Sequence, residues 1–231
     1  MDFVYLSDWL RGTSLENIVQ ETEDVLLDQM GQTINILARD VIVASSVVQY
    51  ASTATTRLTV AAGMILNYDE VAEMVLTLKN ANAKEITRQI DPMNLYDTSP
   101  IPMSYVGFAS HETIRDLEND PKWIPVENYA SQGVLGPWER GSLARVRFIE
   151  VGTDDKTYAA GGAGSIDVHA TVIIGQGAYA MSRINKLAVE MIHKPLGSGD
   201  DPLNQRESFG WKIAIVFSIL NSAMLGRIEH A

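Results

Sequence analysis

Residues 194–214, KPLGSGDDPLNQRESFGWKIA, place a glycine-rich, charged segment directly before a hydrophobic run. Such a segment can be a phosphate-binding loop, a metal loop or a turn between strands. A phosphate loop requires lysine directly after its last glycine, and no glycine of the segment is followed by lysine. A calcium loop starting at Asp200 requires Asp or Asn at its third position and Glu at its twelfth, where Pro202 and Trp211 stand. We therefore interpret the segment as a strand, a loop shaped by glycines and Pro202, and a returning strand.

The composition is that of a globular, acidic protein. The chain has 231 residues, of which 46% are apolar and 20% charged, with a net charge of −11 and no cysteine. The acidic balance argues against duplex binding, which requires a local excess of Lys and Arg, and the lack of cysteine excludes disulfides and thiolate chemistry. No signal-peptide pattern opens the chain, and no apolar run reaches the ~20 residues that cross a bilayer. We expect a soluble, non-secreted protein.

A long amphipathic helix is predicted near the start. Thr13, Ser14, Leu15 and Glu16 have the spacing of a capping box, and apolar residues then recur three, four or seven positions apart as far as Ile42. The pattern predicts a helix over about residues 14–47, roughly 50 Å long at 1.5 Å per residue. We place four acidic residues on or near its solvent side: Glu21, Glu23, Asp24 and Asp28. Helices of this length are more common in bundles and assembly subunits than in compact enzymes.

The rest of the chain mixes helix and strand patterns without regular β-α alternation, which favours an α+β fold. Asn67 is predicted to cap a helix whose buried stripe is Val71, Met74, Val75 and Leu78, and Ser110 to cap a short helix ending near Asp120. Strands are predicted at about residues 3–6, within 51–66, and at about 104–108, 144–151, 168–174 and 213–219.

Residues 175–180, GQGAYA, follow a predicted strand and fit the dinucleotide fingerprint G-x-G-x-x-A. They lie too late in the chain to leave room for a parallel sheet. The nearest later carboxylate, Glu190, comes 15 residues after Gly175, whereas a ribose partner is expected about 20 residues on. We favour a strand-terminating turn, and an NAD-binding enzyme remains an alternative.

Other residues with catalytic or ligating side chains form no motif. The four histidines have no H-E-x-x-H or i,i+4 spacing, and no serine matches G-x-S-x-G. The pairs Asp154–Asp155 and Asp200–Asp201 could be acid–base carboxylates, but adjacent aspartates in glycine-rich loops are usually turn residues. We expect no catalytic residue, no metal and no cofactor.

Longer strings of the sequence resemble the major capsid proteins of tailed bacteriophages. The C-terminal string carries the resemblance most specifically: Pro202–Arg206, Gly210–Lys212, Ile219–Asn221 with Ala223, and Arg227–Glu229. Four earlier stretches agree with it: DFVYLSDWL at 2–10, HETIRDLENDPKW at 111–123, RVRFIEV at 145–151 and ATVIIGQGAYA at 170–180.

The resemblance implies the Hong Kong 97 capsid fold, with a long spine helix, a peripheral domain and an axial domain. We expect residues 1–66 and 185–231 to form the peripheral domain and residues 67–184 the axial domain. Relatives often carry a polar pair where this chain has Gln176 and Gly177, and their spine helix follows an N-terminal arm and an extended loop. Only about a dozen residues precede the predicted helix here, so we expect this chain to lack both.

The implied function is structural and non-enzymatic: a head subunit that assembles into pentamers and hexamers of a shell enclosing phage DNA, with scaffold and portal proteins as possible partners and no membrane. It would be located in the virion, and in the bacterial cytoplasm during assembly. The expected subunit-interface residues lie in the opening segment: Asp200, Asp201, Asn204, Gln205 and Arg206. A bacterial encapsulin-type nanocompartment shell protein is the alternative within the same fold class.

Overall fold

The computed structural model describes residues 1–15, 17–87, 102–129, 134–152, 157–162, 166–183, 189–198 and 201–231. The chain divides into two compact units, one of residues 1–38 and 181–217 and the other of residues 39–180 and 218–231. We call them the first and second units. The predicted peripheral and axial domains, with boundaries at residues 67 and 184, stay a prediction.

The helices and strands of the described residues, in chain order, are β1 (Asp2–Ser7), α1 (Asp8–Thr13), α2 (Ile18–Val43), β2 (Val48–Tyr50), α3 (Tyr68–Asn80), β3 (Tyr105–Ser110), α4 (His111–Glu118), β4 (Ile124–Pro125), β5 (Glu139–Leu143), β6 (Val146–Val151), β7 (Thr157–Gly161), β8 (Ile166–Ile174), β9 (Tyr179–Arg183), β10 (Glu190–Lys194), β11 (Arg206–Lys212), β12 (Ile215–Ile219) and β13 (Leu225–His230). Short 3-10 turns lie at Arg57–Thr59, Val126–Asn128 and Ser222–Met224. Strands β9 and β12 pair with each other.

The first unit is a three-stranded antiparallel sheet, in the order β1-β11-β10, packed on α2. Its core is a cluster of four buried side chains: Leu6, Leu26, Phe209 and Trp211. Because successive side chains of a strand point to opposite faces, Phe3 and Tyr5 of β1 lie on the face away from this cluster. Both are 61% exposed, so one face of this sheet is bare.

The second unit is built on an eight-stranded mixed sheet in the order β2-β13-β8-β3-β6-β5-β4, with β7 pairing with β8. One apolar cluster joins α3 and α4 to the sheet, through residues such as Met74, Leu117, Phe148 and Ile228. A second cluster joins the end of α2 to β8 and β13. Strand β13 pairs in parallel with β2 and antiparallel with β8.

The long predicted helix exists, but it runs from Ile18 to Val43 instead of from about 14 to 47, and is about 39 Å long at 1.5 Å per residue. The predicted helix start at Thr13 is wrong, because Thr13 ends a separate short helix, α1, in which the Thr13 hydroxyl donates to the Trp9 carbonyl (2.8 Å). Glu16, the acidic member of the predicted capping box, lies outside the described residues. At the other end the chain leaves the helix to form β2.

The shorter helices agree with the prediction. The Asn67 side chain accepts a hydrogen bond from the Glu70 N–H (3.1 Å) at the start of α3, and the predicted stripe is buried. Ser110 caps α4 through the Thr113 N–H. The strand predicted within residues 51–66 is wrong, since that stretch is a loop with the 3-10 turn at Arg57–Thr59.

Most predicted strands are confirmed, with shifted ends. The strands near the start and at 104–108, 144–151 and 168–174 correspond to β1, β3, β6 and β8. The alternation over 213–219 belongs to β12, which begins at Ile215, and within it Ile215, Phe217 and Ile219 are half-buried while Val216 and Ser218 are exposed.

Candidate assembly interface

The segment at residues 194–214 folds as predicted, as strand β10, a loop and strand β11. The two strands pair antiparallel with Lys194 opposite Ser208. Of the five predicted interface residues, Asp200 lies outside the described residues. The other four lie at the end of the loop and the start of β11.

The carboxylate of Asp201 organises this loop. Its Oδ2 atom accepts hydrogen bonds from the N–H groups of Gln205 and Arg206, both at 2.7 Å, and Oδ1 accepts from the Leu203 N–H at 3.4 Å. Desolvation is the largest single influence on this group and raises its pKa, but the hydrogen bonds from Arg206, Gln205 and Leu203, with the charge of Arg206, together outweigh it. The pKa of Asp201 is therefore lowered from its ordinary value.

Asn204 turns the chain near the end of the loop. Its φ of 54° lies in the left-handed region, which asparagine tolerates better than most residues. Gly197 across the loop also has a positive φ, of 82°, and a Cβ atom placed on it would lie 3.0 Å from Oδ1 of Asn204. The asparagine and the glycine thus fit each other closely.

Gln205 and Arg206 hold the base of the loop with their backbone and leave their side chains exposed. The Gln205 carbonyl accepts from the Asp8 N–H at 3.1 Å, and Arg206 pairs with Ser7 of β1. The structure thus brings three exposed polar side chains together at the start of β11, those of Asn204, Gln205 and Arg206. Their contact with another subunit stays a prediction.

Sequence reasoning missed a buried ionic group next to this loop. Glu207 is buried, and its carboxylate lies 2.6 Å from Nε2 of His193 and 3.3 Å from Nη1 of Arg11. The ring of His193 also stacks on Phe209, with centroids 4.2 Å apart. The signal for Glu207 was present in the sequence, since it alternates with Phe209 and Trp211 on one face of β11 and so places a charge on the core side.

Residues 175–180 do not have the geometry of a dinucleotide site. The N–H groups of Gly175 and Gln176 already donate to the carbonyls of Met224 and Lys84, both at 2.9 Å. Gly177 has a φ of 75°, and strand β9 follows it where a phosphate site requires the start of a helix. The strand-terminating turn that the sequence favoured is the observed structure.

A serine, a histidine and a glutamate approach each other beside α4. The hydroxyl of Ser110 lies 3.5 Å from Nδ1 of His169, whose Nε2 lies 3.1 Å from Glu112. Ser110 is only 6% exposed, and its oxygen already accepts the Thr113 N–H as the helix cap. A nucleophilic serine has to be accessible to substrate, so this geometry is explained as a structural network around the start of α4.

Metal-ligand clusters and membrane-spanning helices are both absent from the part of the chain that the structure describes. No group of three or more His, Asp or Glu side chains is arranged to hold a metal ion there. None of the helices in those ranges combines the length and hydrophobicity needed to span a membrane. The pair Asp154–Asp155 lies outside the described residues.

The sequence is similar to that of a curated phage protein. It is 28% identical over 123 residues to the major capsid protein of Pseudomonas phage KPP21, a match that covers 51% of this chain and 31% of that protein. The match thus spans less than a third of the relative. No protein-family profile matches the chain.

Solved capsid structures share the fold over nearly the whole chain. The capsid of Ralstonia phage GP4 superposes with a TM-score of 0.70 at 13% identity, covering 99% of this chain and 73% of that one. The capsid of cyanophage Pam1 gives a TM-score of 0.65 at 16% identity, covering 100% and 74%.

An encapsulin also shares the fold, less closely. The SrpI encapsulin of Synechococcus elongatus gives a TM-score of 0.57 at 10% identity, covering 99% of this chain and 71% of that one. The higher TM-scores of these two phage capsids, together with the sequence match, favour the phage proteins. The chain has the Hong Kong 97-type fold of tailed-bacteriophage major capsid proteins, the family that its sequence resembles.

Proposed function

We propose that this chain is a major capsid subunit that assembles into capsomers and a closed shell around phage DNA. The observation that carries the proposal is the agreement of 99% of the chain with the Ralstonia phage GP4 capsid at a TM-score of 0.70. The sequence match to the Pseudomonas phage KPP21 major capsid protein supports it. Function would then come from many repeated interfaces around rotational axes.

The finer parts of this function belong to the same proposal. Pentamers and hexamers are the expected capsomers, and scaffold and portal proteins the expected further partners. The peripheral domain would be residues 1–66 with 185–231 and the axial domain residues 67–184. The net charge of −11 suits a subunit that encloses DNA without binding it tightly, since phosphates repel an acidic surface. The location is the virion, after assembly in the host cytoplasm.

A structural role without catalysis is part of the proposal. It is supported by the capsid proteins that the chain resembles. The encapsulin alternative rests on the SrpI match and predicts that an enzyme co-purifies as cargo. The NAD alternative predicts saturable NADH binding that Gly177→Asp abolishes.

Light scattering with negative-stain microscopy on the purified chain tests the proposal. We expect rings, pentamers, hexamers or shells, and no change in intrinsic fluorescence when NADH is titrated into an aliquot. A chain that stays monomeric at the highest concentration reached would contradict the assembly proposal. A saturable NADH response would contradict the non-enzymatic role.

A further inference from the structure

The bare face of the three-stranded sheet in the first unit carries an aromatic patch. The rings of Phe3 and Tyr5 lie edge to face with centroids 5.2 Å apart. Gly210 lies beside Phe3 on β11, and a Cβ atom there would be only 3.0 Å from the Phe3 Cβ. Because Gly210 has no side chain, it does not cover the neighbouring Phe3 ring. Exposed aromatic surface of this kind is typical of interfaces.

Two unpaired cations lie on the same face. Lys194 is opposite Ser208, two residues from Arg206 along β11, so the two basic side chains are diagonal neighbours about 7–8 Å apart. Neither forms an ion pair with any residue in the described ranges, whereas the nearby Lys212 is bound to Glu190 at 2.8 Å. Lys194, and Arg206 next to Asp201, thus concentrate positive charge at one end of the sheet.

Helix α2 presents the complementary surface. Leu26 faces the sheet and is 1% exposed, and the opposite side of the helix carries Asp24 and Asp28, both exposed. Residues four apart on a helix lie about 5–6 Å from each other, close to the spacing of the two cations. Neither aspartate has an ion-pair partner among the described residues. Val25, 67% exposed, adds apolar surface beside them.

We propose that the bare sheet face, around Phe3, Tyr5, Lys194 and Arg206, docks on the acidic side of helix α2, around Asp24, Val25 and Asp28, of a second copy of this chain. The inference rests on the proposed shell-forming function and names one of its contacts. The sheet already packs its other face on its own helix through Leu6 and Phe209. The bare face points away from the subunit's own α2. A helix α2 that docks on this face therefore belongs to another subunit.

Such a contact joins two different surfaces, and it therefore repeats from copy to copy until a ring closes or a filament grows. The charge pairs, Arg206 and Lys194 against Asp24 and Asp28, would fix the register. The aromatic rings against Val25 would supply apolar contact. The same face cannot serve as a nucleic-acid surface while it is covered by a second subunit.

Charge reversal tests the contact. The double variant Lys194→Glu with Arg206→Glu is expected to weaken self-association at least about tenfold, and so is Asp24→Lys with Asp28→Lys. Combining all four substitutions restores opposite charges and should recover assembly. Lys84→Glu reverses an exposed lysine of the second unit and is the matched control. Circular dichroism and melting temperature verify that every variant is folded.

Cross-linking gives a second measurement, because the chain contains no cysteine. Ser208→Cys and Val25→Cys chains, mixed and mildly oxidised, should form a heterodimer that Ser208→Cys with Lys84→Cys does not. Wild-type assembly that both double variants retain would overturn this contact and leave the shell-forming function intact. The wild-type chain could instead bind duplex DNA, with only the Lys194→Glu, Arg206→Glu variant losing this binding and its assembly unchanged. That result would assign the face to nucleic acid. A wild-type monomer would overturn both proposals.

Discussion

Arg57 holds Glu229 with two parallel hydrogen bonds in the second unit, from Nε at 2.8 Å and from Nη2 at 2.6 Å. Glu229 is fully buried in β13, and the guanidinium also lies over the Tyr158 ring, 3.6 Å from its centroid. The hydrogen bond to Glu229 is the main cause that raises the pKa of Arg57. One cation thus fixes the loop at 51–66 to the sheet.

Replacement of Arg57 by alanine should destabilise the fold, because it leaves Glu229 buried with less compensation. Breaking a buried ion pair costs about 3–5 kcal/mol, and we expect the lower end, since Arg227 Nε remains 3.0 Å from Glu229. Urea unfolding measures the loss. Arg115→Ala, which removes a pair between the 76% exposed Arg115 side chain and Asp116, should cost at most about 1 kcal/mol. Equal losses of unfolding free energy in the two variants would contradict this role of Arg57.

Gly141→Ala should destabilise the sheet of the second unit, whereas Gly31→Ala should stabilise helix α2. A Cβ atom at Gly141 would overlap the Trp123 ring and lie 2.7 Å from the Ile124 carbonyl oxygen, and overpacking of this kind costs about 1–3 kcal/mol. Gly31 lies inside α2 with no atom within 4 Å of such a Cβ. Alanine there should add about 0.5–1 kcal/mol. Thermal unfolding of both variants is the measurement.

Asp201→Asn should lower the melting temperature at neutral pH, because the amide is a weaker acceptor for the three backbone N–H groups. The folded-state pKa of Asp201 is lowered, so its stabilisation is fully present above the ordinary aspartate pKa of about 3.9. That stabilisation is lost as the pH falls through the lower, folded-state pKa. The two melting curves should therefore converge in acid. A constant difference down to the lowest pH, or an equal effect of Asp28→Asn, would contradict this role.

Glu207→Ala should loosen the hairpin of β10 and β11. It removes the acceptor of both His193 and Arg11 and leaves a cavity beside Phe209. Hydrogen exchange of the β10 amides should speed up, while that of β8, in the second unit, stays unchanged. Glu207→Gln, which keeps the volume and one acceptor oxygen, is the control and should have a smaller effect. Equal exchange rates in the alanine variant and wild type would contradict the role of Glu207.

Local sequence patterns predicted those elements whose pattern and caps lie close together. Helix α3 is the clearest case, since Asn67, Glu70 and the stripe from Val71 are all within a few residues. Strand β2 was missed because it is three residues long and is defined by pairing with β13, far along the chain. Its Val48 and the preceding Val47 continue the apolar spacing of α2, which extended the predicted helix.

Strand β5 was missed for a different reason. Its first residue, Glu139, is buried and forms an ion pair with Arg147 at 2.5 Å, so charged residues interrupt the apolar alternation that identifies a strand. The candidate site was located by its glycines and Pro202, which specify a loop. The hydrogen bonds within the loop, such as those from backbone N–H groups to Asp201, could not be predicted from the sequence, because they depend on the folded conformation.

The order of pairing in the two units constrains how the chain folds. Strand β1 pairs with β11 about 200 residues later, and β13 inserts between β2 and β8. Neither sheet is complete until residues 206–230 have left the ribosome. Until then, the edges of the earlier strands are unpaired. Such non-local topologies fold slowly and expose edges that aggregate. Chaperone demand during synthesis is therefore expected to depend on how quickly the last strands arrive.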